Sequence, residues 1–184
     1  IELSGASPLV RVDDLNPARI KRLLDAGAHG IIVPNVKTVS QALEAVQATR
    51  YAPVGIRGVG LHRAQNYGRE FDAYWEAALE RITVVLQIES LQGISNIREI
   101  AAIEGIDALM LGPYDLSSDV GTPGNFTSTE YQSAVADFKA LARTHGMPMG
   151  IHVVQPDISG LAVDELEEMQ FVVFGVDFTM LTWM

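Results

Sequence analysis

"TVVLQIES" (residues 83–90) carries the reading of the fold. Thr83, Val84, Val85, Leu86 and Ile88 suit a buried strand, Gln87 is set among them, and the run ends on a carboxylate, Glu89. A run that is apolar throughout, rather than at every second residue, belongs to a strand covered on both faces. Five other runs share this character: "PLVRV" (8–12), "GIIVPNV" (30–36), "ALMLGP" (108–113), "PMGIHVV" (148–154) and "QFVVFGV" (170–176). Helical patterns lie between them. Six strands alternating with helices predict a parallel sheet with crossover connections, and an open doubly wound sheet and a closed barrel both fit.

The intervening helices carry start and stop signals. Asn16 can cap the first, Pro17 fits its first turn, Ile20, Leu23 and Leu24 form one face, and Gly27 supplies the stop. A second helix runs from about Ser40 to Ala48, a third over 70–81, and a fourth within 90–105 with a weak glycine interruption. The fifth, 128–146, opens at Thr129 and Glu130 and closes at Gly146, and residues 156–168 read as a short last helix. No glycine-rich nucleotide motif follows any strand. "GIRGVG" (55–60) reads as a flexible active-site loop. Trp75 and Trp183 read as packing residues.

Composition narrows the function classes. The 184 residues are 48% hydrophobic and 20% charged, an ordinary globular balance, and the length suits one domain over 1–184. Without cysteine there is neither a disulfide nor a thiolate metal site. A net charge of −10 with no basic cluster argues against nucleic acid, and no apolar stretch approaches the roughly 20 residues of a membrane helix. The start, "IELSGASPLV", has neither the features of a signal peptide nor an initiator Met, so a piece of a longer chain is expected.

In α/β folds chemistry gathers at the C-terminal ends of parallel strands. The polar residues there are Arg11, Asn35, Gln87, Glu89, Asp115, His152 and Asp177. Glu89 and Asp115 each leave an apolar strand, and the two strands are consecutive. Two carboxylates in a low-dielectric site repel each other, and a hard divalent cation removes the conflict: Mg²⁺, with Mn²⁺ or Co²⁺ as substitutes. The competing reading makes both acids helix N-caps. Gln87, two residues before Glu89, shares its face and either orients a water or substrate oxygen or makes a core hydrogen bond. Gly112, in "LGPYD", either lets a ligand approach closely or simply turns the strand into a helix. Arg11, flanked by apolar neighbours, serves an anionic oxygen or a structural ion pair. Asp25, in the last turn of its helix where the macrodipole disfavours it, reads as a surface acid when taken alone. His152 is a packed core histidine or, nearer the strand end, part of a substrate pocket. Asp177 reads as a turn residue. The four histidines, His29, His62, His145 and His152, share no metal-ligand spacing.

"LVRV", "LLDAGAHGIIVPNV", "YAPVGIRGVG", "VVLQIES", "IEGIDALMLGPYDLSSDVG" and "FGVDFTML", taken in order, resemble the successive signatures of the HpcH/HpaI aldolases, class II metal-dependent pyruvate aldolases. The resemblance covers essentially the whole chain. It implies a (β/α)₈ TIM barrel, here lacking its first two strands and last helix, in a cytoplasmic homohexamer built as a trimer of dimers. Glu89 and Asp115 then match the metal ligands, and Arg11 matches the arginine that stabilises the enolate oxygen. Gln87 matches a polar residue beside pyruvate and metal, and Gly112 and Tyr114 fall where backbone amides hold the pyruvate carboxylate. Asp25 matches the acid of a His–Asp pair often supplied across a subunit interface. His152 lies near a position that shapes the aldehyde pocket, where an apolar residue is usual. None of the four histidines matches the family's catalytic histidine.

The expected activity is reversible aldol cleavage of a 4-hydroxy-2-oxo acid to pyruvate and an aldehyde, without a Schiff-base lysine. Two rivals stand beside it: oxaloacetate decarboxylation with enolate addition, as in macrophomate synthase, and a non-catalytic protein that binds metal or oxo acid.

Overall fold

The computed structural model describes residues 1–154 and 168–182. Six strands, all parallel, form one sheet in chain order: β1 (Leu9–Arg11), β2 (Gly30–Val33), β3 (Thr83–Ile88), β4 (Ala108–Leu111), β5 (Met149–Val153) and β6 (Phe171–Phe174). The strand order never reverses, and this decides between the two architectures open to the sequence. Right-handed crossovers that always advance in one direction lay every helix on the same face of the sheet. A doubly wound sheet needs a reversal. The molecule is therefore α/β with a singly wound parallel sheet, as in part of a barrel.

The two sheet faces differ accordingly. Ile31, Val33, Val84, Leu86, Ile88, Leu109, Leu111 and Ile151 point to the helices and join the main core with Ile20, Leu24, Ile97, Ile100 and Phe138. The alternate residues Ile32, Val85, Ala108 and Met110 form a second, smaller cluster on the inner face, with Phe171 and Val173 against it. Strands buried on both faces explain the continuous apolar runs, and β2 and β4 are buried at every residue. The edge strands β1 and β6 are not. Arg11 at the end of β1 is exposed: among the described residues its strand has a neighbour on one side alone.

The helices are α1 (Pro17–Asp25), α2 (Val39–Thr49), α3 (Phe71–Arg81), α4 (Leu91–Ser95), α5 (Ile97–Ala101), α6 (Pro113–Asp119), α7 (Thr129–Thr144) and α8 (Asp177–Thr182). Asn16 caps α1 by accepting from the Arg19 amide, and Gly27 takes φ +106 just past its end, as the sequence predicts. Thr38 and Gln41 make a capping box on α2. The single helix expected within 90–105 is two short ones. They break at Asn96, whose side chain donates to the Lys37 carbonyl, and not at Gly93. Asp177 opens α8 and is not a turn residue. Trp75 packs as expected, stacked on Tyr51 with ring centroids 4.5 Å apart. The helix expected over 156–168 lies outside the described residues except for Glu168, and so does Trp183. Among the described residues no helix is long and apolar enough to cross a membrane.

Candidate active site

Two adjoining clefts open at the C-terminal ends of the strands. One, of about 520 Å³, is lined by Arg11, Asp13, Pro34, Asn35, Lys37, Glu89, Asp115, Ser118 and Asp119. The other, of about 530 Å³, is lined by Arg11, Gln87, Gly112, Pro113, Tyr114, Asp115, His152, Val154 and Val176. Arg11 and Asp115 belong to both. Seven of the eight residues to which the resemblance gives a role, all but Asp25, therefore gather here, from β1, β3, the β4–α6 junction and β5.

Neither carboxylate is a helix cap. Ser90 caps α4 with its own side chain, which accepts from the Gly93 amide, so Glu89 stands one residue outside the helix. Asp115 lies inside the first turn of α6, whose cap position is Gly112. Glu89 is 6% exposed and held at both oxygens. The Asn35 amide donates to Oε1 at 2.7 Å and the Gln87 side-chain amide to Oε2 at 2.5 Å. Gln87 in turn accepts from Arg11 Nε at 3.2 Å, so a relay runs from the arginine through the glutamine to the carboxylate. Gln87 thus uses both ends of its amide inside the site.

Burial raises the Glu89 pKa above the usual glutamate range, and the Asp115 charge raises it further. The hydrogen bonds from Asn35 and Gln87 and the charge of Arg11 offset this in part. The site thus holds a carboxylate that two influences push toward its neutral form, which is the condition a cation relieves. A second observation concerns space. A Cβ at Gly112 would fall on Glu89 Oε2, Gln87 Nε2 and Glu89 Cβ. The bare backbone is what lets Glu89 and Gln87 sit against the β4–α6 turn. The φ of Gly112 is −103°, open to any residue, so Gly112→Ala is a purely steric change. It is expected to cost about 1–3 kcal/mol, as overpacking does, in urea unfolding; a variant as stable as the parent would show that the pair gives way freely.

The structure revises three expectations. The Gly112 amide donates to the Ile88 carbonyl at 3.2 Å, so it continues the sheet and is not free for a substrate carboxylate. Tyr114, by contrast, lies in the first turn of α6, where amides have no partner within the helix. Its ring rests edge-on against Phe126, centroids 5.1 Å apart. Asp25 does not join the clefts. It ends α1, at the opposite end of the sheet, 2% exposed, paired with Arg57 at 2.8 Å and with Lys21. It is thus no surface acid either: the two cations offset the unfavourable helix dipole there. Finally, "GIRGVG" contributes no residue to either cleft. Its Arg57 is buried against the Tyr51 ring, 4.6 Å from the centroid, and donates to the Tyr74 hydroxyl at 3.1 Å.

His152 is half-buried, with Nε2 3.5 Å from the Gly175 carbonyl. Burial lowers its pKa below the usual histidine value; the contact with the Gly175 carbonyl opposes this in part, and the nearby Arg11 charge adds a smaller downward push. Asn35 stood in the sequence without a role and proves to hold Glu89. The signal was an asparagine directly after the proline that ends a strand, because asparagine tolerates the left-handed turn found there, φ +54. Asp119, also unassigned, accepts from the Leu91 amide at 2.8 Å and thereby fixes the start of α4 beside the site.

Among the described residues no group of three or more His, Cys, Asp or Glu is gathered for a metal ion. Two carboxylates, with further positions left for water and substrate oxygens, are nevertheless the usual protein share of a Mg²⁺ site. The donor set, two carboxylates lining one cleft, fits such an ion.

Comparison with known proteins gives a concordant picture. The family model described as HpcH/HpaI aldolase/citrate lyase matches residues 1–182. The chain is 40% identical over 176 residues to 5-keto-4-deoxy-D-glucarate aldolase of Citrobacter koseri, covering 95% of this chain and 65% of that protein. It is 39% identical over 166 residues to 2-dehydro-3,6-dideoxy-6-sulfogluconate aldolase of Pseudomonas putida, covering 90% and 65%. The chain thus spans somewhat less than two thirds of the length of these relatives. A crystal structure of an HpcH/HpaI aldolase/citrate lyase family protein from Burkholderia cenocepacia superposes with a TM-score of 0.88 at 31% identity, covering 96% of this chain and 70% of that one.

Proposed function

The chain belongs to the HpcH/HpaI aldolase/citrate lyase family, and from that premise we propose that it performs the reversible, divalent-metal-dependent cleavage of a 4-hydroxy-2-oxo acid to pyruvate and an aldehyde. The observation that carries this reading is the pair Glu89 and Asp115, set in a cleft that also contains the permanent cation Arg11.

Glu89 and Asp115 would hold Mg²⁺, Mn²⁺ or Co²⁺. Such an ion, when bound, supplies Lewis-acid stabilisation of the charge that forms on the 2-oxo oxygen. Arg11 adds a fixed positive charge to the same oxygen, and its bond to Gln87 keeps it aimed there. A guanidinium serves this better than an ammonium, because it stays charged and its planar fork loses less freedom on binding. The Tyr114 amide binds the carboxylate of the 2-oxo acid. His152, in the wall of the second cleft, contacts the aldehyde portion, where its ring nitrogens offer hydrogen-bonding groups.

The same reading makes the sheet a portion of a (β/α)₈ barrel and the chain part of a single barrel domain. It also places the protein in homohexamers, trimers of dimers, in the cytoplasm. Within one chain Asp25 reaches neither cleft, so a catalytic part for it requires a neighbouring subunit.

The test is condensation of pyruvate with a panel of aldehydes. Activity is expected to vanish in EDTA and to return with Mg²⁺, Mn²⁺ or Co²⁺. Activity that survives EDTA, together with a pyruvate adduct trapped by borohydride, would establish a Schiff-base enzyme instead.

A further inference from the structure

Asn35 leaves β2 with φ +54, a left-handed backbone in which, among the described non-glycine residues, it is joined by Asn66 and Tyr67 alone. That conformation costs strain, least for asparagine and most for β-branched residues. The exposed Asn35 side chain does not repay it, since it makes no hydrogen bond among the described residues. The backbone does. Pro34 has no N–H to give, and Val36, buried, already returns to the sheet by donating to the Gln87 carbonyl at 3.2 Å. Between them the Asn35 amide is turned out of the ladder and onto Glu89 Oε1 at 2.7 Å. Gln87 holds the other oxygen. A carboxylate gripped at one oxygen still swings about that contact, whereas one gripped at both is fixed.

We propose that Asn35 is a positioning residue of the cation site: its left-handed backbone supplies the second of the two donors that lock the Glu89 carboxylate in the cleft beside Asp115. This rests on the reading of Glu89 and Asp115 as metal ligands. The role belongs to the conformation and not to the side chain, so the residue type matters through the φ it accepts. Glycine reproduces it, alanine reproduces it poorly, and valine opposes it.

The experiment is a titration of the full protein with Mn²⁺ alone, read by electron paramagnetic resonance, with melting curves in EDTA to confirm folding. Asn35→Gly is expected to bind Mn²⁺ within about twofold of the parent, because its amide can keep the same place. Asn35→Val is expected to weaken binding on the order of tenfold or more, the loss typical when a partner behind a metal ligand is removed. Asn35→Ala should fall between and serves if the valine variant does not fold. Tight binding by both Asn35→Val and Asn35→Ala, or equal loss in the glycine and valine variants, would overturn the assignment. Glu89→Gln in the same titration separates the two levels. If it binds Mn²⁺ as the parent does, the cation site itself is wrong, and Asn35 falls with it. If it loses binding while Asn35→Val does not, Asn35 alone is wrong.

Discussion

Glu89→Gln is expected to abolish divalent-cation binding and aldol activity together, each by more than about a hundredfold, the upper end of what even an outer partner of a metal ligand costs. The substitution keeps the size and shape of the side chain and removes its charge. It also disturbs the hydrogen bonds in a definite way. Both carboxylate oxygens accept from fixed donors, the Asn35 amide and the Gln87 side chain. A glutamine has one acceptor, so whichever way its amide turns, its NH₂ meets another donor. Against that loss stands a gain, since burial and the Asp115 charge push Glu89 toward its neutral form. The two effects oppose each other in the metal-free protein, so its melting temperature should move far less than its cation affinity. Asp115→Asn is the companion variant. It should also lose the cation, and it lets the Glu89 pKa fall, because one of the two upward influences is gone. Calorimetric titration with Mg²⁺ or Mn²⁺ checks both variants, and a glutamine variant that binds and turns over like the parent would remove the carboxylate pair from the mechanism.

Asp25→Ala is expected to destabilise the fold by about 3–5 kcal/mol, the usual result of removing one partner of a buried ion pair, and to lower the melting temperature by roughly 10 °C for a chain of this size. Arg57 has no exposed side-chain surface, and Nε has no hydrogen-bond partner among the described residues. Without Asp25 it keeps the Tyr51 and Tyr74 rings and the Tyr74 hydroxyl, but its charge is unpaired. Lys21 cannot take the place of Asp25, since it is itself a cation. Arg57→Ala should cost less, because Lys21 still pairs with the carboxylate. A double change to apolar residues, Asp25→Leu with Arg57→Met, should cost less than Asp25→Ala alone, because no buried charge is left without a partner.

Acidity offers a second readout of the same pair. Burial raises the Asp25 pKa, but hydrogen bonds from Arg57 and Lys21 outweigh it and hold the carboxyl below its ordinary value. A carboxyl depressed in the folded state binds fewer protons there than in the unfolded chain. Its stabilisation is therefore complete above the ordinary aspartate range and is lost as pH falls through the lowered value. Urea unfolding at a series of pH values should show that acid-dependent loss in the parent and not in Asp25→Ala. Equal stabilities for parent and Asp25→Ala at neutral pH would mean that Arg57 finds another partner.

Much of this was legible in the residues. The six apolar runs became the six strands, and the caps at Asn16 and Gly27 held. The spacing of Gln87 and Glu89 did place them on one face, where they bond directly. What escaped the sequence depends on contacts between distant segments. Among the described residues the strand of Arg11 lies at an edge, which leaves the side chain exposed, and no property of "PLVRV" records that. The break at Asn96 follows from a bond to the Lys37 carbonyl, 59 residues earlier. Arg57 reads in "GIRGVG" like any loop arginine. Its burial arises because α1, the segment after α2 and α3 bring Asp25, Tyr51 and Tyr74 around it.

By itself the sequence determined the alternation of strands and helices, the absence of thiol chemistry and the presence of two acids at neighbouring strand ends. These are properties of composition and of local periodicity, which near neighbours in the chain settle among themselves. The tertiary structure decided that the sheet is wound in one direction. It also decided that neither acid is a cap, and that Asn35 and Gln87 grip Glu89 from two sides. Each of these depends on which strand lies beside which, and on hydrogen bonds between distant residues, such as Asn35 and Glu89, 54 residues apart. Such pairings form when the whole sheet assembles, because only then are the buried donors and carboxylates taken from water and obliged to satisfy one another.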